Sequence, residues 1–522
     1  MWRPWMLFAL PAAAALIGCE RAPKLSAPVV LAYEAGAARI EGRWFGAPGP
    51  GAEVVVSGTA VSSGAAGVTW TDGRIDLTLP PGVRSGELVV RTKSGEVHAN
   101  LEVYRLEEWD LPVSAGTNAS PLSLARDGLG RLWINEEFHN QLKTFDPNGG
   151  GPPAAIDIPR PADPGPFAVF FDELFGQQNV DLRTQTSVLG ESVIVDPQGF
   201  VWFSEGGGFF YELTMDGKKV HPNHSRIVRH DPNGGSFRVY NVPGDRNEVI
   251  GLAWDATRGR IWFAEGGRQG GGAITSFDPE RAPWDNTFDF SSSLDAYVNM
   301  ADPRDGFRRF PVPDRSEYPS WLAVDADGGV WYTGFLGNRV GRLDPETGTF
   351  VELPLPRRKS TAPAAALFDT GGPGLIVVGP DGSVLFNEGF DLTVDRVDAP
   401  RVRRGDVACL ALDGSGKNPC VQELAVADPA QLTSNTDLIH SIAFDAQGRL
   451  WYGQHGPNGP SPPDTLGIVA LDLSWTARFP PLRAAGDPTP VGVTGIAPEP
   501  DRAVIWFEEY WAKKLGRLTR LD

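Results

Sequence analysis

Residues 440–455 read His440-Ser-Ile-Ala-Phe-Asp-Ala-Gln-Gly-Arg-Leu-Trp-Tyr-Gly-Gln-His455. Apolar residues alternate up to Asp445. A turn follows at Ala446, Gln447 and Gly448, and a second apolar run carries Leu450, Trp451 and Tyr452. This is the pattern of two antiparallel strands joined by a tight turn, with Gly where a positive φ is easiest. The unit recurs at 122–136 (LSLARDGLGRLWINE), 192–205 (SVIVDPQGFVWFSE), 251–265 (GLAWDATRGRIWFAE), 321–333 (WLAVDADGGVWYT), 375–388 (LIVVGPDGSVLFNE) and 495–509 (GIAPEPDRAVIWFEE). With the opening stretch there are seven copies.

The anchor positions are Trp133, Trp202, Trp262, Trp331, Leu385, Trp451 and Trp506. Their spacing exceeds the roughly 40–50 residues of a bare propeller blade, so the blades carry loop insertions. A second hairpin follows most copies, clearest at 226–243 (RIVRHDPNGGSFRVYNVP) and 338–356 (NRVGRLDPETGTFVELPLP). Two hairpins per repeat make a four-stranded blade, and seven blades close into a ring. The stretch 107–112 (EEWDLP) reads as an outer strand, and the C-terminus supplies a third strand without a fourth. The two are expected to complete the final blade and so remove two free sheet edges.

The chain has 522 residues, 62 of them Gly and 46 Pro, with a net charge of −18. No long helical periodicity appears, and the class is all-β. The acidic balance excludes a nucleic-acid binder, which needs a basic footprint. It fits a well-solvated surface, and a monomer is expected.

At the N-terminus an apolar run from Trp5 to Ile17 follows a single Arg. It is too short to span a bilayer and reads as the core of a signal peptide. It ends in Leu16-Ile17-Gly18-Cys19, which resembles a bacterial lipobox. That resemblance implies cleavage after residue 18, lipidation of Cys19, and a cell-envelope protein held to the membrane only by its lipid. Glu20 in place of Asp favours the outer membrane. Residues 19–27 form a tether. Cys409 and Cys420 flank a turn sequence, and in an oxidising compartment a structural disulfide is the simple reading.

Residues 28–104 lack the repeat and carry short alternating strands with turns about every ten positions, the pattern of an immunoglobulin-like sandwich. Their order of Gly, Phe-Gly, Trp and Leu-Pro signals resembles the IPT/TIG family of spacer and interaction modules. The expected organisation is therefore a signal at 1–18, a tether at 19–27, a sandwich at 28–104 and a seven-bladed propeller at 105–522.

The repeat, Asp-x-x-Gly-x-x-Trp-Phe-x-Glu with a following Asp-Pro-x-x-Gly hairpin, resembles the streptogramin B lyases. These are seven-bladed propellers that open a macrocyclic ester by elimination with a divalent metal. The resemblance carries over His440, five residues before Asp445 in the penultimate copy. It implies a metal-binding Glu after the last Trp-Phe, at Glu509 or its neighbour Glu508. Gly492 and Thr494 stand where those lyases have a Glu-x-His pair, so the best general base is missing.

The same column around the ring is Leu122, Glu191, Ile250, Ser320, Gly374, His440 and Thr494. Only Glu191 and His440 could ligate or titrate, and Glu191 also resembles a metal-binding Glu of gluconolactonase-like propellers. A carboxylate and an imidazole at one channel mouth could hold Mg or Ca, or share acid–base work. A second column, three residues after each anchor, holds Glu136, Glu205, Glu265, Gly334, Glu388, Gln454 and Glu509. It reads either as a ring of carboxylates facing the channel or, with more support, as a structural acid serving the repeat. Two functions follow. One is a non-catalytic propeller that holds a ligand or an envelope partner. The other is a metal-assisted carbon–oxygen lyase or lactonase acting on a cyclic ester, with His440 and Glu191 catalytic and Glu191, Glu509 and His440 on the metal.

Overall fold

The structure is a computed structural model. It describes residues 21–112, 120–137, 141–158, 168–172, 176–180, 192–205, 211–215, 218–220, 225–242, 248–266, 272–282, 306–314, 318–356, 370–427, 438–455, 464–483 and 491–522. Cys19 and Glu191 lie outside the described residues, as do most of the expected loop insertions.

The repeat folds as read. Six four-stranded antiparallel sheets follow the repeat, five built from consecutive strands and the second interrupted by Tyr211–Met215 and Lys218–Val220 of another sheet. Blade 1 is Ser120–Arg126, Leu132–Glu137, Gln141–Phe145 and Ala154–Asp157. Blade 2 is Val193–Val195, Val201–Glu205, Arg226–His230 and Phe237–Asn241. Blade 3 is Glu248–Asp255, Arg260–Gly266, Ala273–Phe277 and Phe307–Pro311. Blade 4 is Pro319–Val324, Val330–Gly334, Arg339–Asp344 and Thr349–Pro354. Blade 5 is Pro373–Val378, Val384–Glu388, Thr393–Val397 and Val421–Ala425. Blade 6 is Leu438–Phe444, Leu450–His455, Thr465–Val469 and Thr476–Arg478.

Where the sequence reading expects seven such blades, the seventh copy supplies three strands, Val493–Pro498, Val504–Glu509 and Lys514–Arg520, to a larger twelve-stranded sheet. Their neighbour there is Gly95–Asp110, which pairs with the last of them from Tyr104↔Arg520 to Asp110↔Lys514. The first strands of the blades neighbour one another in order, and Val493–Pro498 lies between those of blades 6 and 1.

Each turn is held by one acid. In blade 6 the Trp451 indole donates to Asp445 Oδ2 (2.9 Å), while Oδ1 accepts the backbone N–H of Gln447 and Arg449. The same indole–carboxylate bond joins Trp133 to Asp127, Trp202 to Asp196, Trp262 to Asp255, Trp331 to Asp325 and Trp506 to Glu499. Blade 5 has Leu385 for the Trp and Gly379 for the acid, so the pair is lost as a unit. The anchors are fully or almost fully buried between blades. A glycine on the third strand admits the ring of the residue after the anchor. A Cβ on Gly341 would lie 2.2 Å from Tyr332 Cζ, and one on Gly467 2.3 Å from Tyr452 Cζ.

The N-terminal strands run from Lys24–Leu25 to Gly95–Asp110 and enclose a cluster including Val30, Ile40, Val54, Ile75, Leu88 and Leu101. Strand Val29–Tyr33 is buried on both faces. Val30 and Ala32 enter that cluster, while Val29 and Leu31 pack with Trp451, Ile468 and Phe479 of blade 6. The expected boundary at 104/105 falls inside the continuous strand Gly95–Asp110. Between the third and fourth strands of blade 5, Cys409 and Cys420 form a disulfide.

Strands Ala168–Asp172 and Gly176–Val180 pair with each other, and Ala168–Asp172 also pairs with Tyr211–Met215, in a small separate sheet. Among the described residues no helix is long and apolar enough to cross a membrane.

Candidate functional site

The column holding His440 coincides with a structural device. Pairing between the first and second strands shifts register at Pro121/Ser123, Val249/Leu252, Pro319/Leu322, Pro373/Ile376, Ile439/Ser441 and Val493/Ile496. Each shift is a β-bulge, which takes one residue out of the ladder and re-aims it. The bulged positions include Leu122, Ile250, Ser320, Gly374, His440 and Thr494, the column read from sequence.

A bulge frees backbone groups that then need partners. In blades 1, 2, 4 and 5 the residue two after the anchor meets this need across the blade boundary. Ser204 Oγ donates to Ile250 O (2.8 Å), Thr333 Oγ1 to Gly374 O (2.8 Å) and Asn387 Nδ2 to Ile439 O (2.7 Å). Asn135 Nδ2 reaches Ser192 O and Ser204 O.

His440 is the titratable member of this column among the described residues, and it is half-buried. Its Nδ1 lies 3.2 Å from Thr494 O. A carbonyl only accepts, so this contact puts a proton on Nδ1, and in a neutral ring the lone pair is then on Nε2. That tautomer suits a base or a metal ligand. Thr494 is committed elsewhere, since its hydroxyl donates to Pro121 O (3.0 Å) of blade 1.

The acids of the second column lie on the second strand of each blade, not on the innermost one, and are buried. They do not ring the channel. Glu136 pairs with the buried Lys143 (3.1 Å), Glu205 with Arg226, Glu265 with Arg309 (3.0 Å) and Glu509 with Arg483 (2.5 Å). In blades 1–3 the cation comes from the third or fourth strand of the same blade. Burial pushes Glu136 up to about 7 against the pull of Lys143.

Glu509 is raised to about 8, first by burial and then by the Glu108 carboxyl beside it. Arg483 bridges the two, reaching Glu108 at 2.6 Å. Glu509 therefore joins the last blade strands to Gly95–Asp110, and its described partners do not include His440.

Glu508, the other carboxylate at this place, occupies the bulge-bonding slot two after Trp506. It is fully buried, and neither oxygen has a hydrogen-bond partner in bonding geometry among the described residues. Burial, and then the charge of Glu136, raise it well above the usual carboxylate range. Of the four residues expected on the metal or in catalysis, His440 lies on the bulge of an innermost strand and Glu509 in a structural pair. Glu191 lies outside the described residues, and Glu508 is an enclosed acid.

One carboxylate group that could share a cation lies in blade 5, where oxygens of Glu388, Asp395 and Glu423 fall within 4.8 Å of one another. Thr393 Oγ1 donates to Asp395 Oδ2 at 2.9 Å. Sequence reasoning picked out Glu388 by its column but missed the other two. Asp395 had a signal: it stands opposite Phe386, where Gly341 and Gly467 stand opposite Tyr332 and Tyr452 in blades 4 and 6.

No protein-family model matches the chain, and no curated protein matches it in sequence. Among solved structures, a virginiamycin B lyase from Staphylococcus aureus, as a catalytically inactive variant with quinupristin, superposes with a TM-score of 0.50 at 19% identity. The match covers 80% of this chain and 99% of the lyase. The selenomethionine form of that lyase gives 0.50 at 18%, with the same coverage. The propeller fold is shared with virginiamycin B lyase. At this identity the likeness concerns the fold alone. The extracellular domain of a putative one-component system from B. thetaiotaomicron gives 0.43 at 12% identity, over 94% of this chain and 51% of that one.

Proposed function

We propose that this is a lipid-anchored envelope protein whose propeller holds a ligand or a partner protein without catalysis. In this reading Cys19 carries the lipid, the N-terminal strands form an IPT/TIG-like interaction module, and the three C-terminal strands with the second half of Gly95–Asp110 act as a seventh blade. The observation that carries it is the state of the groups on which a lyase-like reaction would depend. Thr494 replaces an imidazole and has its hydroxyl bonded to Pro121 O. Glu509 is buried and neutralised by Arg483. An elimination site needs a base and a carboxylate open to a metal, and among the described residues Thr494 and Glu509 are engaged in these structural contacts. The test is incubation of the mature chain with streptogramin B-type and simple macrocyclic lactones in Mg or Ca, read by mass. Intact ester is the expected result, and ring opening would overturn the reading.

A second reading, a metal-assisted carbon–oxygen lyase or lactonase, draws on the His440 tautomer. There His440 Nε2 would either take the proton or, with Glu191, hold a divalent ion that polarises the ester carbonyl. Near-stoichiometric Mg or Ca binding by calorimetry, abolished by His440→Ala and by Glu191→Ala, would favour it over the binding reading.

A further inference from the structure

The N-terminal unit carries a cleft of about 680 Å³ whose walls include Arg21, Trp44, Asp72 and Lys93. Trp44 stands at its edge in a left-handed backbone conformation, φ 65°. A bulky residue adopts this only when its surroundings impose it. Here the next residue does so: Phe45 is buried in the core, and Gly46 N–H donates to Asp72 Oδ1 (2.8 Å). The strain holds the indole out of the core, half-exposed.

Two guanidinium groups lie over that indole, Arg43 at 4.5 Å and Arg21 at 5.0 Å from its centre. Lys93 also lines the cleft and is exposed, in the turn after Gly86–Thr92. None of these three cations is ion-paired with a described carboxylate, whereas Arg39, Arg74, Arg91 and Arg105 of the same unit all are. Asp72, the acid in the wall, is occupied by Gly46. On a chain of net charge −18 this edge is a local exception.

We propose that this edge rests on an anionic membrane surface. Arg21, Arg43 and Lys93 meet lipid phosphates, and Trp44 lies at headgroup depth, where indoles concentrate. Position supports the choice of a membrane over a soluble anion. Arg21 is two residues from Cys19, at most about 7 Å of extended chain. This orientation complements the lipid-anchor reading, and its test is kept independent of it.

The chain from Glu20 onward, which cannot be lipidated and keeps every described residue, is sedimented with phosphatidylcholine vesicles with and without phosphatidylglycerol. Binding that requires phosphatidylglycerol is expected. Arg21→Ala with Lys93→Ala should weaken it about 25-fold, at about fivefold per cation near the surface. Trp44→Gly, which suits the positive φ and so keeps the fold, should weaken it several-fold while raising thermal stability. Equal binding to both vesicle types, variants that bind like the parent, or competition by millimolar inorganic phosphate would each overturn the assignment. A mass measurement on the membrane-extracted full chain reports Cys19 lipidation separately.

Discussion

Glu508→Gln is expected to make the protein more stable at neutral pH, although it alters a fully buried residue. In blades 1, 2, 4 and 5 the same slot holds Asn135, Ser204, Thr333 and Asn387, and each donates a hydrogen bond across the blade boundary. An ionised carboxylate cannot donate. Burial and the charge of Glu136 accordingly hold Glu508 in its protonated form well beyond the usual carboxylate range. The folded-state pKa is raised, so the folded chain binds this proton more tightly than the unfolded chain. Below the ordinary carboxyl pKa of ~4.3 both states are protonated and the group is neutral in its effect. As pH rises above that value, stability falls by about 1.4 kcal/mol per pH unit until the folded-state pKa is reached. The amide of Gln has the same shape, does not titrate and can donate. The variant should therefore gain on the parent as pH rises, by at most about 1.4 kcal/mol per pH unit. Urea unfolding followed by tryptophan fluorescence at pH 5, 6, 7 and 8 measures this. The reasoning is refuted if the midpoints of parent and variant keep a constant gap across the series. Glu508→Ala separates the effects, since it also abolishes the pH dependence but leaves a cavity and no donor.

Asp325→Ala removes the acceptor of Trp331, Gly329, Arg342 and Arg403, and should cost about 3 kcal/mol or more in an unfolding titration. Cys409→Ser with Cys420→Ser opens an 11-residue separation and should cost about 2–3 kcal/mol, with the channel-side His440 titrating as before by NMR. Ending the chain before Lys514 removes the strand between Val504–Glu509 and Gly95–Asp110, and limited proteolysis should then cut blades far from the new terminus as readily as the end itself.

The repeat was legible because each copy carries its own local reasons. An acid gathers the turn amides and the indole, and a glycine turns the chain. Even the departure of blade 5 can be read, since Leu385 and Gly379 change together. The bulge was not legible as a bulge. Sequence reasoning found the column through His440, but one extra residue in a strand leaves no compositional mark. The acid column was legible in position and misread in place. Glu205 and Arg226 are separated by a chain excursion, yet the ladder sets them directly opposite each other. The enclosure of Glu508 was hidden because its neighbour Glu136 comes from the first copy of the repeat, far away along the chain.

The N-terminal unit shows how much a continuous strand can conceal. Val29–Tyr33 reads VVLAY, a run in which both faces are apolar. Such a run marks a strand covered on two sides. Here one cover is the unit's own cluster and the other is blade 6. Arg449 of blade 6 reaches back to Glu102 at 2.7 Å, and Arg478 to Glu41 at 2.9 Å. Strand Gly95–Asp110 then carries the same chain into the last sheet of the ring. A spacer on a flexible tether would leave ring closure to the propeller alone. In this chain Gly95–Asp110 belongs to the N-terminal core and shares a sheet with Val493–Pro498, where the Thr494 carbonyl lies 3.2 Å from His440 Nδ1. The electrostatic edge at Trp44 and the channel-side imidazole are therefore parts of one connected framework.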